Sequence, residues 1–209
     1  MARLWRRVPG MSNSRHKELR GVYSGSMPDQ PPPSILSHFW APLCAVGSHG
    51  DRGPNAQVCV SVFGASIVPE RPRLLVVLSN TNFTTGLVST SGTLAITVLS
   101  DAQAALLEPL GLHSGRDREK LRGIDHQLTG TGDPVFPGGA GHVEGRVLRE
   151  FGLGDSTAFL VAVEARAENG FTPLSWQAAK DVVGEAFLAR WAEKSAREQA
   201  AAFRTMVWE

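Results

Sequence analysis

Two cysteines and six scattered histidines in 209 residues leave little to build a metal centre from. Cys44 and Cys59 lack CxxC spacing, so no zinc pattern and no metal ligand set is expected. A pair of cysteines in a chain this long suits a reducing cytoplasm, which is the expected location. No apolar run approaches the roughly 18 to 20 residues that span a bilayer, so no membrane partner is expected. The formal net charge of +1 gives no reason to expect nucleic acid. GxGxxG, GxxxxGK[ST], HExxH and GxSxG are all missing, which argues against a Rossmann fold, a P-loop, a zincin and a nucleophile elbow. His113, His126 and His142 read as loop or edge-strand residues, and Asp117 and Glu119 as a solvated face neutralised by neighbouring Arg and Lys.

What is present is organised in three parts. Residues 1–34 read as a disordered or dispensable tail and a Pro-rich linker. The Arg-rich, acid-free start "MARLWRRVPGMSNSRHK" also resembles a transit peptide, and Met11 suggests an alternative start. Residues 35–176 look like one strand-rich domain, and 177–209 a C-terminal helix free of proline. Val183, Phe187, Leu188 and Trp191 form the apolar stripe of that helix, which fades to alanines beyond Ala192.

Within the domain, "HGDRGP" separates two strand-like runs and predicts a hairpin with Cys44 opposite Cys59. Along the second run, Val58, Val60 and Val62 alternate with Gln57, Cys59 and Ser61, so one face is core and the other meets something polar. "RLLVVL" and "LAITVL" read as buried strands, and "TTGLVSTSG" between them as two helical turns stopped by Gly92. "SDAQAALLEPL" predicts a helix limited by Pro109, and "SGRDREKLRG" a second short helix ending at Gly123. "GTGDPVFPGGAG" is a loop, followed by strands at "HVEGRVLREF" and "TAFLVAVEARA". About six strands with short helical inserts suggest a small antiparallel barrel.

The chemistry gathers at "SNTNFTT", residues 79–85, where small hydrogen-bonding side chains follow a buried strand. Such residues end strands and cap helices, and they also cradle anions at a helix N-terminus. Asn55, Gln57, Cys59 and Ser61 form a polar strand face beside it, which suits a flat, phosphorylated ligand.

The order of these segments resembles the flavin reductase-like, FMN-binding split-barrel family: a strand opening at Asn55, the turn "SIVP", an apolar strand, the Ser/Thr-rich segment, "ITVLS" and "GDSTAFLVAVE". The resemblance spans residues 37–175. It implies a mainly β, six-stranded antiparallel Greek-key split barrel with a C-terminal helix, forming a homodimer around FMN, with FAD as the alternative. Val58, Cys59, Val60, Ser61 and Val62, followed by Gly64 and Ala65, would face the flavin ring. Thr81, Asn82, Phe83, Thr84 and Thr85 would lie along the ribityl chain and phosphate. The phosphate segment lacks the basic residue common in the family, a role open to Arg116 or Lys120. Ser156 stands where the family places a nicotinamide-side His in "GDH", which makes it the candidate catalytic position. The implied activity is hydride transfer from NADH or NADPH to flavin, supplying reduced flavin to a monooxygenase. The alternatives are a flavin-binding electron carrier or sensor without reductase turnover, and a barrel with no cofactor.

Overall fold

The computed structural model describes residues 42–206; the expected N-terminal tail lies outside them. A seven-stranded antiparallel sheet dominates, in the order β2-β1-β5-β8-β9-β4-β3. Its strands are β1 (Cys44–Gly50), β2 (Gly53–Cys59), β3 (Val62–Gly64), β4 (Arg73–Ser79), β5 (Thr93–Val98), β8 (Gly141–Gly152) and β9 (Ser156–Glu168). Two short strands, β6 (Gln127–Leu128) and β7 (Pro134–Val135), pair separately, β7 within the Gly/Pro-rich region that the sequence marks as loop and β6 just before it. The expected hairpin is present: Asp51 and Arg52 form its turn, and Cys44 pairs with Cys59.

The connection between β2 and β3 dictates the sheet's shape. These strands occupy opposite edges of the sheet, yet only Val60 and Ser61 separate them in sequence. Laid flat, seven strands would hold the edges about 29 Å apart, at about 4.8 Å per step. Three Cα steps reach only about 11 Å. The sheet therefore curls until its two edges come together at the Val60–Ser61 corner. The seam is visible where Val77 N–H of β4 donates to Ser61 O at 2.9 Å, and where the Cys59 thiol points to Val77 O at 3.7 Å. This closure also corrects the expected count of six strands. The run from Asn55 to Gly64 reads as one strand but breaks at Val60 and Ser61, where it crosses from one edge to the other.

Inside the curl, Cys44 and Val46 of β1, Val76 and Leu78 of β4, Leu94 and Ile96 of β5, and Phe159 and Val161 of β9 form one core. Their i, i+2 spacing is the strand period. The opposite face of β1 and β2 presents Ala45, Ala56 and Val58, followed by Val60 just past β2, to a second core built with the helices.

The helices are α1 (Phe83–Ser91), α2 (Leu107–Leu112), α3 (Trp176–Val183) and α4 (Glu185–Thr205). Gly92, at φ 71°, closes α1 as expected, its N–H bonding Val88 O at 2.9 Å. Three helix expectations change. A 3-10 segment, Asp101–Leu106, leads into α2, which runs through Pro109 to Leu112. Proline is tolerated there because a helix's first turn needs no amide donor. The segment 114–123 forms consecutive turns instead of a helix. Ser114 Oγ takes the Arg116 amide at 3.2 Å and Ser114 O the Asp117 amide at 3.3 Å, diverting the backbone from helical pairing. The C-terminal helix divides at Gly184, whose φ 76°, ψ 161° belongs to glycine and breaks the helical ladder. The apolar stripe packs as expected: Phe187 is buried, Val183, Leu188 and Trp191 lie against the helical core, and Trp191 sits 5.1 Å from Trp176. No helix among the described residues is long and apolar enough to cross a membrane.

Candidate functional site

A cavity of about 210 Å³ opens where β2, the N-terminus of α1, the 113–120 turns and α4 meet. The strand–helix junction builds its floor. Ser79 Oγ bonds Thr81 Oγ1 at 2.9 Å, and Thr85 Oγ1 donates to Ser79 O at 2.6 Å, so the polar run folds back on the end of β4. Asn82 is the N-cap of α1 by backbone conformation, at φ −84°, ψ 138°, but its side chain makes no capping bond. The first amides of α1 therefore have no side-chain cap, and the helix dipole adds partial positive charge there.

Above this floor stands β2. Asn55 Nδ2 donates to Thr84 Oγ1 at 2.7 Å, both residues being buried. Asn55 Oδ1 and Gln57 Oε1 are buried with no hydrogen-bond partner. Buried acceptors are nearly always paired, because leaving one unmet costs about 1 to 3 kcal/mol. Two such oxygens on one strand face, both lining one cavity, ask for donors from a ligand.

The third wall is cationic. Arg52 and Arg116 flank the Phe83 ring, their guanidinium carbons 5.2 and 5.7 Å from its centroid. Arg116 donates to Thr81 O at 2.8 Å and Arg52 to Gly115 O at 2.8 Å, tying the turn segment to the α1 entrance. Gly115 is required by proximity, since a Cβ there would overlap the Asn55 amide and the Phe83 ring. Lys120 is buried, and its pKa is lowered to about 7, first by burial and then by Lys194 and Arg118. Burial also lowers the pKa of His113 on the same wall, reinforced by Arg118.

Of the expected contact residues, the structure brings Asn55, Gln57, Val58, Thr81, Asn82, Phe83 and Thr84 to this cavity, and Arg116 and Lys120 with them. It places the others elsewhere. Cys59 and Val62 belong to the interior core, Val60 to the helical core, and Thr85 is buried beneath the floor. Ser61 lies in the seam, and Gly64 and Ala65 are exposed on and beyond β3. Ser156 pairs with Ser79 at the start of β9, outside the lining. Burial pushes the Cys59 thiol up to about 11 and Cys44 to about 12, so both are protonated and unreactive near neutral pH. His113, Gly115, Trp191, Lys194 and Glu198 line the cavity without having been singled out from the sequence as site residues. Trp191, Lys194 and Glu198 repeat at helical spacing, which is the signal that could have found them.

This strand, helix entrance and basic turn match a known domain: a model described as flavin reductase like domain covers residues 36–182. The chain belongs to the flavin reductase-like domain family. Its curled sheet is also that of solved structures. An FMN-binding protein from Thermus thermophilus, solved with bound 1-cyclohex-2-enone, is 27% identical over 69% of this chain and 80% of its own, with a TM-score of 0.59. An NADH:FAD oxidoreductase from Streptomyces globisporus shares the fold at 20% identity, over 69% of this chain and 89% of its own, with a TM-score of 0.60. Nitrilotriacetate monooxygenase component B from Mycobacterium thermoresistibile does so at 18% identity, over 72% and 92%, with a TM-score of 0.58. No curated protein matches the chain.

Proposed function

We propose that this family member is an NAD(P)H:flavin oxidoreductase holding FMN, or FAD in its place, in the cavity between β2 and the α1 entrance. The observation that carries the reading is the pair of unpartnered buried acceptors, Asn55 Oδ1 and Gln57 Oε1. A flavin offers what they lack: an imide N–H on the ring and hydroxyls on the ribityl chain. The uncapped start of α1 with Thr81, Asn82, Phe83 and Thr84 is suited to the phosphate end, and Arg116 supplies the basic group that this segment does not carry. When bound, flavin supplies a hydride acceptor for a reduced nicotinamide.

The protein's own part is binding and orientation. Asn55 is held by Thr84, so its free oxygen has a fixed direction. Phe83, braced by two guanidiniums, blocks one side of the cavity. Ser156 is assigned the nicotinamide side, where one hydroxyl can donate one hydrogen bond but cannot stack or gain charge as an imidazole would. No side chain is required to take or give a proton.

A homodimer completes the reading. Val62 to Ala65, expected against the ring, lie outside the cavity lining, and Phe63, Ile67 and Val68 are exposed. A second copy covering this apolar edge would place β3 at a shared flavin site. The likeness to a monooxygenase component supports a role supplying reduced flavin to a partner monooxygenase, and the two reduced cysteines suit the cytoplasm. The second reading is a flavin-binding carrier or sensor without turnover. Ser156 favours it, since it replaces the family's His and lies outside the cavity lining. The test is a visible absorption spectrum after adding FMN or FAD, followed by anaerobic stopped-flow mixing with NADH and NADPH. Flavin bleaching supports the reductase; bound flavin that neither nicotinamide reduces supports the carrier; a colourless protein sinks both.

A further inference from the structure

The family match ends at residue 182, yet the cavity does not. α4 begins at Glu185 and places Trp191, Lys194 and Glu198 in the lining. Spaced by three and four residues, these side chains share one helix face. The helix is locked in rotation. A Cβ on Gly111 would overlap the Trp191 ring, Trp176 of α3 packs 5.1 Å from that ring, and Arg190 bonds Glu108 at 2.9 Å. With those contacts made, Lys194 and Glu198 can only face Lys120 across the cavity.

The charges there do not balance. Arg116 and Lys194 are cationic, Lys120 joins them below about pH 7, and Glu198 is the one carboxylate in the lining, so the site carries between +1 and +2 near neutral pH. Glu198 is bound by Lys194, four residues earlier. Lys120 is 8% exposed, its ammonium makes no hydrogen bond or ion pair among the described residues, and the attraction of Glu198 is smaller than the combined effect of burial, Lys194 and Arg118. A buried ammonium without a partner is costly, and an anionic ligand removes that cost. We propose that α4 is part of the ligand site: Lys194 and Lys120 together hold a phosphate group of the ligand, and Glu198 tunes how strongly they do so. The inference rests on the flavin reading of the cavity. It adds a determinant from outside the family domain, one that would make this chain prefer phosphorylated ligands. The phosphate has two sources, the flavin or the nicotinamide dinucleotide.

The experiment measures dissociation constants for FMN, riboflavin and NADH by fluorescence, on wild type, Lys194→Ala, Lys120→Met and Glu198→Gln, with circular dichroism confirming that each is folded. Loss of a charge-assisted bond predicts that Lys194→Ala and Lys120→Met each lower the FMN-over-riboflavin preference by about tenfold. Riboflavin affinity itself should not move, and Glu198→Gln should raise FMN affinity. That pattern assigns the flavin phosphate. An unchanged preference with weaker NADH binding in both lysine variants assigns the dinucleotide phosphate instead. If no affinity for FMN or NADH changes in either lysine variant, α4 is a structural cover only and the proposal is overturned. Wild type that binds neither FMN nor riboflavin ends the flavin reading; the phosphate site then survives only if NADH binding still depends on Lys194.

Discussion

Replacing Lys120 by methionine should make the protein more tolerant of mildly acidic conditions. Lys120 is 8% exposed, and burial is the largest cause lowering its pKa from 10.5 to about 7. In the unfolded chain the same ammonium keeps its proton until far higher pH. Between the two values the unfolded state binds more protons, so stability rises as pH rises and is lost as pH falls through the folded value. For one group with these two values, the gain from about pH 6 to about pH 8.5 is about 2 kcal/mol. The window must stop there. Cys44 and Cys59, raised to about 12 and about 11, keep protons that unfolded thiols lose above about pH 8.5, and so act with the opposite sign. Methionine preserves the length and the apolar stem while removing the charge. Urea denaturation of ligand-free wild type and Lys120→Met should give a stability gap that favours the variant most at the acidic end and shrinks by about 2 kcal/mol toward about pH 8.5. A gap constant across that range would refute the assignment of a buried, proton-releasing lysine to this cavity.

Asn55→Ala removes both the Thr84 bond and one unpartnered acceptor, and FMN titration should show affinity weakened by roughly two- to twelvefold. Gly47→Ala should destabilise by about 1 to 3 kcal/mol in denaturant, because the added methyl meets Pro134 O at 2.5 Å on the outer face of β1. Phe159→Ala empties the middle of the interior core and should cost about 3 to 5 kcal/mol, read as a large fall in melting temperature. Ser156→His should speed anaerobic reduction of bound flavin by about tenfold, equivalent to about 1.4 kcal/mol; a fast wild type unaffected by the change would remove Ser156 from the mechanism.

Local rules made much of this legible. "HGDRGP" fixed a hairpin whose register brings Cys44 to Cys59, and Gly92 marked the end of α1 because its left-handed conformation disfavours other residues. The β2 half of the site was readable because Asn55 and Gln57 share a strand face. What escaped depends on contacts distant in sequence. Nothing near Val60 indicates that the chain there leaves one sheet edge for the other, so two strands read as one. Ser114 turns its neighbours out of a helix through side-chain and backbone bonds that compete with a strong charged-helix composition. Lys194 and Glu198 look like an ordinary exposed ion pair, and only the docking of Trp191 over Gly111 turns them inward.

The seam between β2 and β3 has a consequence during synthesis. β4 lies between β3 and β9, and Arg73 pairs with Ala162, 89 residues later (162 − 73). Until that stretch exists, Val76 and Leu78 have no partner strand on one side and no interior to face. At about 5 to 20 residues per second, the ribosome takes roughly 4 to 18 s to produce it. For that interval the hairpin of β1 and β2 can form alone, whereas "RLLVVL" has only the three-residue β3 to pair with and is otherwise a β-branched, apolar segment of the kind that aggregates or recruits a chaperone. The crossing that carries the chain between sheet edges before β9 exists leaves the nascent chain vulnerable until late in translation.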